Sequence, residues 1–284
     1  GVEACMLSGA AHLLSFTGTD TIPAIYFLEK YYQANVEKEI VGSSVVATEH
    51  AIMMAGEKEN ERETYRRLIE DVYPNGILSI VSDTWNLWNV LTEILPSLKK
   101  SIMARDGKIV VRPDSGDPVE IICGVEYEDY TDACDCLQEC IGCVKDDTID
   151  KVTNETPHGR YGEDEVSTIF LYQGEFYKAK VSIGWNRHDK QFYYIEHYDT
   201  SIDVKKYCRT PAEKGVVELL WEEFGGVQNE YGYKVLDSHV GAIYGDSITT
   251  ERAMEICRRL EKKAFASTNV VLGVGSYSYQ YNTR

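Results

Sequence analysis

Short apolar runs and longer segments of helical spacing alternate along the first part of the chain. Each run leads into a polar turn, and each turn leads into a segment whose apolar residues recur every three or four positions. The runs occupy 13–16, 43–47, 77–81 and 109–111, and the helical segments include 23–32, 58–71 and the stretch carrying Trp85, Trp88, Val90 and Leu91. Four strand–turn–helix units in succession predict an α/β fold with a parallel sheet or barrel.

The pattern changes after residue 122. Residues 123–165 contain thirteen Asp and Glu against three Lys and Arg, and apolar and polar residues then alternate over 166–172, 175–185 and 191–198. This alternation predicts a small antiparallel meander. The earlier pattern resumes with a helix at 216–224, a strand at 240–244, a helix at 250–265 and a strand at 270–272. We therefore predict an α/β core of 1–122 and 212–284 with an inserted segment, 123–211.

Charge and composition narrow the range of functions. A net charge of −17 argues against binding to nucleic acid or to an anionic membrane surface, and no apolar run is long enough to span a bilayer. Eight cysteines without secretory features indicate reduced thiols in a cytoplasmic protein. The spacing of Cys134, Cys136, Cys140 and Cys143 fits a buried helix face better than a zinc site. Since the chain begins at Gly1, we expect a segment of a longer protein that lacks both ends.

The most informative turn follows the run at 109–111 and reads Arg112-Pro113-Asp114-Ser115-Gly116-Asp117-Pro118. A guanidinium and carboxylates at the end of a buried strand suit a ligand that carries phosphate and hydroxyl groups. The alternative is a solvated turn that caps the next helix.

Further candidate residues lie within or just past the ends of the other predicted strands. They are Asp20, His50, Ser79 with Asp83, Gly245 with Asp246, and Gly273 with Gly275. Because the carboxyl ends of parallel strands meet at one edge or mouth, we expect these residues to form one site.

Together these motifs resemble those of a known family. Gly18-Thr19-Asp20-Thr21, Ala47-Thr48-Glu49-His50, 79–83, 112–116, Tyr244-Gly245-Asp246 and the glycine loop at 273 occur in the order found in nicotinamide phosphoribosyltransferases, of the type II phosphoribosyltransferase family. The resemblance covers about 1–122 and 215–284, so the acidic segment and the meander fall outside it. It implies an irregular (β/α) barrel, a homodimer, and the formation of nicotinamide mononucleotide and pyrophosphate from nicotinamide and phosphoribosyl pyrophosphate.

The resemblance also implies roles for single residues. Arg112 and Asp114 would contact the ribose, with Gly245 and Asp246 beside it. Gly273, Gly275 and Ser276 would offer backbone N–H groups to the 5′-phosphate, and Arg284 would help to hold that phosphate. Mg²⁺ would arrive with the pyrophosphate group, with no metal site built by the protein alone.

Two further expectations concern Asp20, in recognition of the base, and His50, in the use of ATP. By resemblance, Asp20 reads the carboxamide of nicotinamide and repels the carboxylate of nicotinate, assisted by Ser79; the alternative is a helix N-cap. His50 resembles the histidine that ATP phosphorylates, with Glu49 or Asp83 orienting the ring. A histidine at a strand end is also a common structural hydrogen-bonding residue.

Three other functions stay open from the sequence. The chain could belong to a nicotinate phosphoribosyltransferase, or to a catalytically silent relative whose insertion binds protein. A glycoside hydrolase that uses Asp20 and Asp114 as its carboxylate pair is the third, and the glycine loop at 273 argues against it.

Overall fold

The computed structural model describes residues 1–127, 129–130, 161–188, 191–195 and 203–275. The chain divides into two compact units, Gly1–Val125 with Pro211–Arg284, and Glu126–Thr210. The boundaries lie within a few residues of the division predicted at 123 and 211, and the assignment of these units as domains stays a prediction.

A five-stranded sheet forms the centre of the first unit. Its strands are β1 (Val46–Ala47), β2 (Gly76–Val81), β3 (Gly107–Arg112), β11 (Val240–Tyr244) and β12 (Val270–Leu272), in the order β1-β2-β3-β11-β12. Every neighbouring pair is parallel. The register aligns Val111 of β3 with Ile80 on one side and Ala242 on the other.

The described residues of this unit also form eleven helices. They are α1 (Val2–Leu13), α2 (Ile22–Tyr32), α3 (His50–Ala55), α4 (Glu61–Arg67), α5 (Leu87–Asn89), α6 (Leu95–Ser97), α7 (Lys99–Ala104), α8 (Pro118–Cys123), α9 (Pro211–Lys214), α10 (Val216–Phe224) and α11 (Thr250–Lys262). Short 3₁₀ segments occupy Lys58–Asn60 and Ser267–Asn269, and π segments occupy Leu68–Val72 and Val90–Ile94. A short antiparallel pair, β9 (Gly226–Gln228) and β10 (Lys234–Leu236), lies between α10 and β11.

Consecutive residues of the central strands are buried, so both faces of the sheet are covered, as is usual for a parallel sheet. Leu78, Ile80, Ile109, Val111 and Ala242 are almost completely buried and belong to one apolar cluster with the helices. The cluster includes Ile94, Leu95, Ile102, Ile122, Leu220, Ile256 and Leu260. Burying such a side chain contributes about 1.5–3 kcal/mol, so the apolar runs that predicted the strands also stabilise the sheet.

The prediction of a strand at 13–16 is wrong. Leu13 ends α1, and Leu14 and Phe16 are exposed, with the Phe16 ring stacked on His12 at 4.9 Å between centroids. The run continues a helix that packs closely on α2, since a Cβ at Gly9 would lie 2.6 Å from the Cβ of Ala24. The run at 43–47 also forms a shorter strand than predicted, only Val46–Ala47.

The described strands therefore form a mixed α/β fold with a parallel sheet. Within the ranges given above, β1 and β12 are the two ends of that sheet. The predicted barrel is a closed form of such a sheet, and its closure is not seen here.

The second unit contains the predicted meander. Strands β5 (Tyr161–Tyr172), β6 (Glu175–His188) and β7 (Gln191–Ile195) pair antiparallel in sequence, with β4 (Asp129–Tyr130) beside β5 and β8 (Asp203–Lys206) beside β6. Gln173 and Gly174 both have positive φ, as a tight hairpin turn requires. The four cysteines between 134 and 143 lie outside the described residues.

Candidate functional site

The carboxyl ends of the parallel strands bring several of the predicted residues to one edge. His50 follows β1, Asp83 follows β2, Asp114 follows β3, and Gly245 and Gly273 directly follow β11 and β12. Parallel pairing in a single sheet places all of these turns on the same side of the core, as the sequence predicted.

Asp83 connects the turn after β2 to the turn after β3. Its Oδ2 accepts the backbone N–H of Asp114 at 2.9 Å and the hydroxyl hydrogen of Ser115. The side chain is only 6% exposed, and its Oδ1 has no hydrogen-bond donor among the described residues. Asp83 thus holds the backbone from which the Asp114 side chain projects, and it leaves one buried, negatively charged oxygen that needs a positive neighbour.

His50 is the first residue of α3 and points toward these carboxylates. Its Nε2 lies 3.9 Å from Oδ1 of Asp83 and 3.8 Å from Oδ2 of Asp114, and its Nδ1 lies 3.1 Å from Oγ1 of Thr84. The distances to the carboxylates are ion-pair distances rather than hydrogen bonds. With 44% of its side chain exposed, His50 remains open to a ligand.

Arg112 and Asp114 form the charged centre of the next turn. The Arg112 Nη2 lies 3.2 Å from Oε1 of Glu49 and 3.7 Å from Oδ2 of Asp114. Burial raises the pKa of Asp114, the charge of Arg112 opposes that rise, and the charge of Asp83 adds to it. Asp114 is still 27% exposed, so its carboxylate can accept hydrogen bonds from ligand hydroxyl groups.

The glycines after β11 and β12 let the two strand ends approach each other. A Cβ at Gly273 would lie 2.3 Å from the carbonyl oxygen of Gly245, and a Cβ at Gly245 would lie 2.9 Å from Oδ1 of Asp114. Gly275 has φ +58, and a Cβ there would meet Oδ1 of Asp246. These glycines are therefore needed for close backbone packing beside Asp114.

One expectation for the glycine loop needs correction. The Gly273 N–H donates to the carbonyl of Tyr244 at 2.8 Å, so this amide is already used at the sheet edge. A phosphate at this loop would have to use donors that follow Gly273. Ser276 and Arg284, the other predicted phosphate-binding residues, lie outside the described residues.

Asp20 does not cap a helix. Helix α2 has Thr21 as its N-cap residue, without a side-chain capping bond. The Asp20 carboxylate accepts a hydrogen bond from the hydroxyl of Ser44 instead, across 24 residues of sequence. Asp20 is exposed, so its carboxylate remains available to a ligand. Sequence reasoning missed Ser44, although it lies in the run at 43–47, two residues before β1.

Ser79 occupies the middle of β2, in register with Ala47 and Val110. Its side chain is buried, and the hydroxyl oxygen has no hydrogen-bond partner among the described residues. The structure therefore places Ser79 inside the sheet region rather than in the turn where His50 and Asp114 meet. Thr84 and Ser115, which hold His50 and Asp83, are the other contacts that the sequence did not reveal.

The described part of the chain contains no group of three or more His, Cys, Asp or Glu that could hold a metal ion. Within the same residues, no helix has the length and apolar character that a membrane crossing requires.

Comparison with known proteins identifies relatives along the whole chain. A protein from Acinetobacter baylyi named nicotinamide phosphoribosyltransferase is 40% identical over 290 aligned residues, which cover 100% of this chain and 41% of that protein. A protein of the same name from Mycoplasma pneumoniae is 28% identical, over 98% of this chain and 41% of its own length. The chain thus spans about two fifths of the length of these relatives.

A family model also matches, over residues 2–156 and 195–284. It includes most of the acidic segment, so the expectation that the family resemblance ends near residue 122 is wrong. Apart from Gly1, the residues outside this match are 157–194, which contain much of the meander. The chain belongs to the nicotinate phosphoribosyltransferase (NAPRTase) family.

Proposed function

We propose that the whole protein is a nicotinamide phosphoribosyltransferase. It joins nicotinamide to phosphoribosyl pyrophosphate and releases pyrophosphate, with ATP as an energy-coupling substrate. We further propose that it is a cytoplasmic homodimer, and that the parallel sheet described above is part of a type II phosphoribosyltransferase barrel. Family membership and the names of the relatives support the reaction class, and they remove the support for a glycoside hydrolase.

The observation that carries the proposal is the group formed by His50, Asp83, Arg112 and Asp114 at the carboxyl edge of the sheet. It combines an accessible carboxylate, that of Asp114, with a guanidinium and an imidazole that each lie within ion-pair distance of it. A phosphorylated sugar needs this combination, because its phosphates require cations and its hydroxyls require acceptors.

Asp114 and Arg112 would act on the ribose. Departure of pyrophosphate leaves positive charge on the anomeric carbon and the ring oxygen, and a carboxylate held nearby stabilises that charge. Asp83 maintains the position of Asp114 through the backbone N–H bond, so little rearrangement is needed during the reaction. Mg²⁺ enters bound to the pyrophosphate group as part of the substrate, and it neutralises charge on the leaving group.

Asp20 and Ser44 would act on the base. The Asp20 carboxylate can accept a hydrogen bond from the carboxamide nitrogen of nicotinamide, and it repels the carboxylate of nicotinate. The hydroxyl of Ser44 holds this carboxylate in place. The pair supports nicotinamide as the substrate within a family whose model is named for nicotinate.

The test uses the full-length protein with phosphoribosyl pyrophosphate and either nicotinamide or nicotinate. We expect a kcat/KM for nicotinamide that exceeds the value for nicotinate by about two orders of magnitude or more, which corresponds to about 2.7 kcal/mol. A preference for nicotinate would assign the protein to the other branch of the family. Failure to bind either phosphoribosyl pyrophosphate or nicotinamide mononucleotide would indicate a catalytically silent relative.

A further inference from the structure

The two ring nitrogens of His50 have different surroundings. Nδ1 lies 3.1 Å from the hydroxyl oxygen of Thr84, at hydrogen-bond distance. Nε2 faces the carboxylates of Asp83 and Asp114 at 3.9 and 3.8 Å, too far for a hydrogen bond. Thr84 directly follows Asp83 in the turn after β2, so one short segment contacts the ring on both sides.

The contacts of the two ring nitrogens indicate which of them is open to a ligand. Oδ1 of Asp83 has no hydrogen-bond donor among the described residues, and Nε2 of His50 lies 3.9 Å from it. Nδ1 has the Thr84 hydroxyl as a hydrogen-bond partner, whereas Nε2 faces only carboxylates that are too distant for a hydrogen bond, so a ring that carries its proton on Nδ1 can donate it to Thr84 and leave the Nε2 lone pair open to a ligand. In this arrangement Thr84 is the acceptor, and it keeps a proton on Nδ1.

We propose that Thr84 is a positioning residue that retains the Nδ1 proton of His50 and thereby makes Nε2 the atom that accepts a phosphoryl group. This inference rests on the proposed function, because it specifies how the proposed ATP coupling uses His50. Neither the sequence motifs nor the comparisons assign a role to Thr84 or to the Nε2 atom of His50.

The phosphoryl transfer to His50 requires no reactant other than ATP. With the ring proton on Nδ1, the lone pair is on Nε2, and 44% of the His50 side chain is exposed to solvent. The Nε2 lone pair then attacks the γ-phosphorus of ATP, forming the N–P bond while the P–O bond to the β-phosphate breaks and ADP leaves. The positive charge that develops on the ring is shared with Nδ1–H, where Thr84 accepts the hydrogen bond, and the carboxylates of Asp83 and Asp114 stabilise it.

Loss of the Thr84 hydroxyl would reverse the preference of the ring for a proton on Nδ1. The neutral ring would then place its proton on Nε2, where the two carboxylates favour it, and the lone pair would move to Nδ1. The nucleophilic atom would lie on the side of the ring away from Asp114. Such a variant keeps the histidine and both carboxylates, yet it presents the wrong nitrogen.

The experiment incubates full-length protein with Mg²⁺ and ATP labelled at the γ-phosphate, and then identifies the phosphohistidine isomer after alkaline digestion. We expect the wild-type label on Nε2. Thr84→Val should reduce Nε2-phosphohistidine by about tenfold or more, because the wrong tautomer removes the nucleophile. Thr84→Ser should restore it, since serine keeps the hydroxyl. Thr92→Val is the matched control, because among the described residues the Thr92 hydroxyl donates only to the carbonyl of Trp88 one helical turn earlier.

Two results would overturn the inference: wild-type label on Nδ1, or an unchanged amount and isomer in Thr84→Val. A wild-type protein that makes nicotinamide mononucleotide but takes no label from ATP would also overturn it, while the proposed transferase activity would stand. A protein that takes label on Nε2 but makes no mononucleotide would contradict the proposed function, and a loss of that label in Thr84→Val would still support the role of Thr84.

Discussion

Asp114 and Asp117 lie in the same turn, but we expect Asp114 to contribute to catalysis and Asp117 to contribute to stability. Asp117 accepts the backbone N–H groups of Val119 and Glu120 at 2.9 and 3.2 Å and caps α8. Asp114 caps nothing, and its carboxylate lies 3.7 Å from Arg112 and 3.8 Å from His50. Replacing each by alanine should therefore affect different properties of the protein.

For Asp114→Ala, the structure predicts a large kinetic effect with little loss of stability. Partly exposed ion pairs at these distances contribute about 0–1 kcal/mol to folding. The raised pKa of Asp114 shows that burial opposes its charge, so its removal relieves part of that cost. Loss of a preorganised group that stabilises transition-state charge costs about 2.7–4 kcal/mol, a decrease in kcat of about 10²–10³-fold.

For Asp117→Ala, the order of the effects should be reversed. Removing a helix cap costs about 0.5–2 kcal/mol of stability, and kcat should stay within a few-fold of the wild-type value. The assay is steady-state formation of nicotinamide mononucleotide by full-length protein, together with urea unfolding of each variant. Near-normal kcat in Asp114→Ala, or a loss of activity in Asp114→Ala that its loss of stability fully explains, would refute the assignment of Asp114 to the reaction.

Three further predictions test other parts of the site and core. Asp20→Ser should lower the ratio of kcat/KM for nicotinamide to that for nicotinate, since the repulsion of the nicotinate carboxylate is lost; an unchanged ratio would remove Asp20 from the base site. Gly273→Ala should lower the free energy of unfolding by about 1–3 kcal/mol because its Cβ meets the Gly245 carbonyl, whereas at Gly241 the new Cβ meets only the flexible Lys108 side chain and the change should be small. Burial raises the pKa of Glu61 above its usual value of 4.5, so the folded state binds a proton there more tightly than the unfolded state. Glu61→Gln should therefore stabilise the protein at pH 7, and the gain should disappear as the pH falls through the raised pKa toward 4.5; thermal unfolding at several pH values measures it, and a gain independent of pH would contradict the argument.

The sequence predicted most of the elements that lie in the core. The helix at 216–224 and the strands at 240–244 and 270–272 have the predicted bounds. Burial and local periodicity determine such elements, and both can be read from neighbouring residues. At 13–16 the same reasoning failed, because a four-residue apolar run does not distinguish a strand from the end of a helix that packs on another helix.

The sequence by itself also determined that His50, Asp83, Asp114, Gly245 and Gly273 share one edge. Each follows an apolar strand, and parallel strands in one sheet end on the same side. The composition of each turn is local information, so the candidate site could be recognised before any contact was known.

Only the tertiary structure decided which of these side chains contact each other. The bonds of Ser44 to Asp20, of Thr84 to His50 and of Asp83 to the Asp114 backbone join residues 24, 34 and 31 positions apart. Such contacts depend on strand register and on how closely the turns approach, and a one-residue slip in register would turn every side chain of a strand to the other face. The pattern of the chain placed the chemistry at one edge of the sheet, whereas long-range packing determined that Asp83 supports Asp114 and that Thr84 orients His50.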